Sequence, residues 1–303
     1  MKKLLLFLSV SALVFAGDSS RYREDFHYSY PQTAGGRFSI ENFNGSVEIS
    51  GWDQNTVDIS GTKYAESESL LHSMQIEASS SGNAVRVKTT RPDTHHGNMG
   101  AKYVIRVPRH TALEDVSSSN GSLRVEDIDG NAHLATSNGS IHLGKIHGNV
   151  DAHSSNGSIE VQDVKGDVNF TTSNGGVHAD NVDGAFEAQT SNGGIRAHLH
   201  DTASGRAIRA STSNGAIDLQ VDALRQNDVI ASTSNGPITV RMPANAAATL
   251  HASTNSNGSI RSDFDVLMHP GEISKHRIEG TIGGGGQKID LVTSNGNITL
   301  LKM

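Results

Sequence analysis

Between residues 120 and 200 the chain alternates apolar and polar residues in short runs that recur every 18 positions. One apolar column is Leu123, Ile141, Ile159, Val177 and Ile195. A second, two residues on, is Val125, Leu143, Val161, Ala179 and Ala197. The polar column between them is Arg124, His142, Glu160, His178 and Arg196. Period-2 alternation predicts a β-strand with one buried face. Each run ends at Ile128, Ile146, Val164 or Val182 and turns at Gly130, Gly148, Gly166 or Gly184. A second strand then begins, with Ala132, Val150, Val168 and Phe186 inward, followed by Leu134, Ala152, Phe170 and Ala188. Large and small residues alternate from repeat to repeat, as stacked layers need in order to interdigitate.

The repeats are punctuated by Asn-Gly. The pair recurs at Asn120, Asn138, Asn156, Asn174 and Asn192 in steps of 18, then at Asn214, Asn235 and Asn257 in steps of 22, 21 and 22, with outlying copies at Asn44 and Asn295. Asn-Gly is also the strongest short hairpin signal, so a meander of hairpins, pairing Leu134 with Leu143, satisfies the local pattern. The constant period favours a solenoid. In a solenoid each residue lies about 4.8 Å from the residue one coil away. Asn120, Asn138, Asn156, Asn174 and Asn192 would then stack into an amide ladder, and the following glycine would supply a positive φ. The predicted fold is all-β: a single-chain parallel β-solenoid with coils of 18–22 residues and an N-terminal β-rich cap.

Composition sharpens this picture. Hydrophobic residues make up only 35 % of the chain and aromatics 5 %, which suits a thin core better than a thick globule. There is no cysteine, so stability rests on packing and hydrogen bonds. The formal charge of −7, or −9 without Lys2 and Lys3, argues against nucleic acid and anionic membrane as partners. Met1-Lys2-Lys3, an apolar run from Leu4 to Phe15 and Ala16-Gly17 read as a secretory signal peptide over residues 1–16. The run is short of the about 20 residues a bilayer span needs, and an uncleaved anchor is the alternative. No membrane span is expected after cleavage, and the mature chain is expected in the periplasm or outside the cell.

The expected organisation is a signal peptide (1–16), a polar segment (17–34), an N-terminal rung and cap (35–110) and the solenoid proper (111–303). Within the cap, Phe38–Ile49 brackets Asn44-Gly45 like one rung. Residues 66–74 suggest a short helix and 91–100 a loop. An open solenoid end is a row of unpaired strand groups, so a cap is required there. The tail, Gly283 to Gly286 and then Lys288 to Leu300, is expected to form the last rung.

The Phe38–Trp52 segment, the repeated Thr-Ser-Asn-Gly units and the closing Gly283–Leu300 stretch resemble the bacterial putative-adhesin family of unknown function, over roughly residues 35–303. The resemblance implies an exported β-solenoid, with some relatives tied to cell-envelope stress systems. The shared positions are turn and core positions, so no functional residue carries over.

Candidate chemistry is sparse. The chain lacks a Gly-x-Ser-x-Gly elbow, a P-loop and His-Glu-x-x-His, and it is expected to be no enzyme and to need no cofactor. Asn174–Asp180 resembles one calcium nonapeptide, without the stacked carboxylates such repeats use. His198 and His200 would face the same way on a strand and form a possible metal pair. The outward column Arg124, His142, Glu160, His178 and Arg196 is the candidate binding surface. A solvated face with alternating charge explains it equally well. The leading reading is a non-catalytic, adhesin-like solenoid that presents a repetitive surface to a cell-envelope polymer or protein. The alternatives are a polysaccharide-acting β-helix enzyme, with its site in the cap or at 199–232, and a structural periplasmic or envelope-stress protein. Oligomeric state does not follow from the pattern.

Overall fold

The computed structural model describes residues 22–91, 97–202, 205–255, 257–268 and 274–303. The proposed signal peptide lies outside them, as does part of the expected 91–100 loop. Twenty-seven strands and one helix, Glu68–Ser73, make up the described residues. No helix among them is long and apolar enough to cross a membrane. The chain forms two compact units, residues 1–139 and 140–303, and each is a stack of mostly parallel strands in two facing sheets.

In the second unit, Ile141–His147 pairs in parallel with Ile159–Lys165, which pairs with Val177–Asp183 and then Ile195–Asp201, Ile217–Val221 and Ile238–Met242. The opposite sheet stacks Val150–Ser154, Val168–Thr172, Phe186–Thr190, Ile208–Thr212 and Val229–Asn235. Ile141 faces Ile159 and Ile159 faces Val177, an offset of one sequence repeat. This is the β-solenoid that the period predicts. The two inner columns bury each other: Ile141, Ile159, Ala152 and Phe170 have no exposed surface. Fully burying such an aliphatic or aromatic side chain stabilises by about 1.5–3 kcal/mol. Ala152 and Ala188 flank Phe170 in the register, and the rings of Phe170 and Phe186 meet edge to face with centroids 6.2 Å apart. The hairpin alternative fails in the first unit, where Leu134 pairs with Val116 rather than Leu143.

The C-terminal strands correct one expectation. Gln287–Asn295 inserts between Val229–Asn235 and Ala248–Ser253. Ile298–Lys302 inserts between Ile238–Met242 and Ile260–Ser262. The 287–302 coil is therefore not the last one. The chain first lays down Ala248–Ser253, doubles back through the antiparallel strand Arg277–Ile282, and then returns into a slot left open. Each sheet has one short end strand, Ile260–Ser262 in one and Val266–Met268 in the other, each three residues long, which limits the unpaired edge there.

The first unit is built the same way at the opposite terminus. Arg37–Asn44 lies between Ala112–Asn120 and Ala84–Thr90, and Val47–Trp52 between Leu123–Ile128 and Met99–Pro108. Beyond them pairing turns antiparallel: Thr56–Ala65 with Met99–Pro108, and Gln75–Ser81 with Ala84–Thr90. The helix is capped by Ser67 Oγ, which accepts from Leu70 N at 3.2 Å. Its Leu70 and Leu71 pack with Ala65, Met74 and Met99. The segment expected only to be polar carries a further strand, Tyr22–Pro31, antiparallel to Thr56–Ala65. Its Phe26 ring meets Tyr103 at 5.2 Å.

Candidate functional site

Two corners join the strands of each coil. Just before one, still inside the strands Leu123–Ile128, Ile141–His147, Ile159–Lys165 and Val177–Asp183, Asp127, Lys145, Asp163 and Asn181 adopt left-handed backbone with φ between 54° and 60°, a conformation that Asp and Asn tolerate better than most residues. Asn181 Nδ2 donates to Asp163 Oδ1 at 2.5 Å across one repeat.

The other corner holds Thr-Ser-Asn-Gly. In the first unit Asn138 donates to Asn120 Oδ1 at 2.7 Å. In the second, Asn174 donates to Asn156 at 2.7 Å, and Asn192, Asn214, Asn235 and Asn295 each donate to the preceding member at 2.9 Å. A second ladder lies beneath. Thr172 Oγ1 donates to Gly157 O at 2.9 Å and accepts from Gly175 N at 3.2 Å. Thr190, Thr212, Thr233 and Thr293 likewise donate to a glycine carbonyl one coil away. These threonines are almost fully buried, so their hydroxyls need such partners.

Gly45 of the first copy takes the expected positive φ, at 111°, but in the repeated coils the glycine is required for a different reason. Gly175 and Gly193 are not at positive φ. A Cβ at Gly175 would sit 2.0 Å from Gly157 O, and one at Gly193 would sit 2.0 Å from Gly175 O. Stacked turns approach too closely for any side chain.

The outward column is in register within the second unit: His142 beside Glu160, Glu160 beside His178, His178 beside Arg196, and Arg196 beside Asp218. His142 Nδ1 lies 3.1 Å from Glu160 Oε2, and Arg196 Nε lies 3.7 Å from Asp218 Oδ2. Arg241 also pairs with Asp218. Arg124 belongs to the first unit, beside Glu48 and 2.9 Å from Glu126. The column is thus charge-compensated along its length. Asp218, which falls after the step changes to 22, is a member that strict 18-residue counting misses.

His198 and His200 come together around a carboxylate. His198 Nε2 lies 2.8 Å from Asp222 Oδ2 and its Nδ1 lies 3.1 Å from Asp180 Oδ1; His200 Nδ1 lies 3.2 Å from Asp222 Oδ2. Burial of the His198 ring opposes protonation, but its hydrogen bonds to the Asp222 and Asp180 carboxylates outweigh it and hold its pKa above the usual histidine value. Burial likewise opposes ionisation of Asp222, and Gln220, His198 and His200 outweigh it and hold that carboxyl below its usual range. Both His198 nitrogens face carboxylates, an arrangement that fits the imidazolium. No group of three or more His, Asp or Glu side chains placed to hold a metal occurs among the described residues.

Asp222 also opens a groove of about 500 Å³ formed where the coils lengthen. Residues 222–225 line one wall, Pro243 and 245–247 another, and 285–287 the third. Arg225 in that wall is held by Asp201, at 2.8 and 3.3 Å. Buried Asn227 fixes the loop behind it, donating to Arg206 O at 2.7 Å and accepting from Thr202 Oγ1 at 3.0 Å.

A family model agrees with this architecture. The family model described as Toastrack DUF4097 matches residues 36–301. A solved structure of a "putative cell adhesion protein" from Clostridium sporogenes is 10 % identical, with a TM-score of 0.24, covering 92 % of this chain and 100 % of its own. A "putative adhesin" from Bacteroides fragilis is 14 % identical, with a TM-score of 0.32, covering 92 % and 97 %. Likenesses at those TM-scores carry no argument. No curated protein matches the chain. The family match spans nearly the whole chain, and this protein belongs to the Toastrack DUF4097 family.

Proposed function

We propose that this protein is an exported, non-catalytic scaffold whose outer sheet face binds a polar polymer or protein of the cell envelope or cell exterior. The observation that carries the reading is the outward column. His142, Glu160, His178 and Arg196 stand on successive strands in one register, at the about 4.8 Å spacing of neighbouring strands. A surface repeated at that interval suits an extended ligand, and its compensated charge favours a near-neutral, hydroxyl-rich polymer over a polyanion. Export rests on residues 1–16 as a signal peptide, with 17–34, 35–110 and 111–303 as the segments of the mature chain; N-terminal sequencing of the secreted protein tests the cleavage after Ala16.

The polysaccharide-acting enzyme is less well supported. Glycoside hydrolysis uses two carboxyl groups with separate duties. The groove beside residues 199–232 is lined by one carboxylate among the described residues, Asp222, already engaged by both histidines.

The test is a pull-down from native envelope, paired with a glycan array. Changing His142, His178 and Arg196 together to Ser should abolish capture while leaving the fold intact. Undiminished capture by the triple variant moves the site to the groove or the cap. No capture by the unaltered protein in either assay favours a purely structural role. Turnover of a bound glycan favours the enzyme.

A further inference from the structure

Asn-Gly is the dipeptide most prone to spontaneous deamidation, because a glycine leaves the following backbone nitrogen unhindered in reaching the asparagine Cγ. This chain carries ten such pairs. In the ladder the reacting amide is immobilised. Asn174 donates to Asn156 and accepts from Asn192; Asn192, Asn214 and Asn235 are held from both sides in the same way. The glycine nitrogen is hydrogen-bonded in the ladder, Gly157 N to Ser154 Oγ at 2.8 Å and Gly175 N to Thr172 Oγ1, and outside it, Gly258 N to Asn255 O, so the held amide and not the nitrogen sets the ladder sites apart.

Within the second unit, Asn257 stands outside the ladder. The other second-unit turns with threonine read Thr-Ser-Asn-Gly, but the Asn257 turn reads Thr254-Asn255-Ser256-Asn257-Gly258, with one residue more. Both ends of this turn remain in register. Thr254 Oγ1 donates to Gly296 O at 2.8 Å, and a Cβ on Gly258 would meet Gly296 O at 2.1 Å. Gly258 N donates to Asn255 O at 3.0 Å. Asn257 is left exposed, and its side chain makes no hydrogen bond among the described residues. The ladder passes instead from Asn235 to Asn295.

We propose that Asn257 is a deamidation site, and that the amide ladder protects the other Asn-Gly pairs of the second unit. The Gly258 backbone nitrogen loses its proton to solvent base and attacks Asn257 Cγ. The N–Cγ bond forms, the Cγ–Nδ2 bond breaks, and Nδ2 leaves as ammonia after taking up a proton. Water then opens the succinimide at either carbonyl, giving aspartate or isoaspartate. The net change is amide plus water to acid plus ammonia. It places a new negative charge on the final coil, and isoaspartate also lengthens the backbone beside Gly258, whose carbonyl lies 3.1 Å from His276 Nδ1.

The test is incubation of the full folded chain at mildly alkaline pH, followed by peptide mapping of deamidation at each Asn-Gly. The Asn257 peptide should convert about ten-fold faster than those of Asn174, Asn192, Asn214 and Asn235, the scale that two hydrogen bonds on the amide supply. In denaturant the sites should converge. Two variants probe the cause. Deleting Asn255 restores Thr-Ser-Asn-Gly spacing and should slow Asn257 toward the ladder rate. Asn174→Ser removes the acceptor of Asn192 and should speed Asn192. Equal rates across the folded chain, or an Asn192 rate unmoved by Asn174→Ser, overturns the proposal.

Discussion

Asn174 donates from Nδ2 to Asn156 Oδ1 at 2.7 Å across one 18-residue repeat, and its own Oδ1 accepts from Asn192 at 2.9 Å. Each interior amide of the ladder is therefore both donor and acceptor. Asn174→Ala removes two hydrogen bonds and leaves two partners without theirs. It should destabilise the second unit by about 1–3 kcal/mol, measured as a shift in chemical denaturation midpoint.

Gly175→Ala tests the close approach of stacked turns. The new Cβ would meet Gly157 O at 2.0 Å, and overpacking of this kind costs roughly 1–3 kcal/mol. Gly284→Ala is the control, because open space surrounds that position; its melting temperature should stay put. Equal behaviour of the two variants would show that the turns are not stacked.

Ile159→Ala empties a fully buried position in the middle of the repeats. The expected cost is about 2–5 kcal/mol. Because each coil is supported by its neighbours, the loss should also uncouple the strands on either side. Hydrogen exchange should accelerate first in Ile141–His147 and Val177–Asp183, the parallel partners of Ile159–Lys165.

The pH dependence follows from His198 and Asp222. The His198 pKa is raised in the folded state, so its contribution is fully present below about 6.5, the unfolded value. It is lost as pH rises through the higher folded value. The Asp222 pKa is lowered, so its contribution is present above about 3.9 and is lost as pH falls through the folded value. Stability from this cluster should be greatest between those limits. His198→Gln should flatten the loss on the alkaline side while leaving the acid limb, which other carboxylates share. A wild-type denaturation midpoint that does not fall as pH rises above about 6.5 would contradict the clamp.

Periodicity made the repeating coil legible, because a period-2 strand pattern recurring every 18 residues leaves few ways to bury Ile141, Ile159 and Val177 together. What is set by distant pairing was not legible. The insertion of Gln287–Asn295 beside Val229–Asn235 crosses 60 residues of sequence, and nothing local in either strand announces it. Tyr22–Pro31 does alternate, with Phe26, Tyr28 and Tyr30 two apart, but its partner strand Thr56–Ala65 and the Tyr103 ring that Phe26 meets lie far along the chain. Asp222 lies off the 18-residue beat, because the coil between it and His198 is longer; the carboxylate that organises both histidines was therefore invisible to column counting. The glycine of Asn-Gly was foreseen, but for its φ rather than for the backbone oxygen one coil away.

The stacking of coil on coil is tested most directly by cross-linking, since the chain has no cysteine of its own. Glu160 and His178 are register partners on adjacent strands. Strand neighbours stand about 4.8 Å apart, within the about 4.4–6.8 Å Cα separation that a disulfide spans. Glu160→Cys with His178→Cys should oxidise to an intramolecular disulfide. His153→Cys with Glu160→Cys, the pair that a hairpin about Asn156-Gly157 would bring together, should not. A disulfide in the second pair and none in the first would contradict the solenoid.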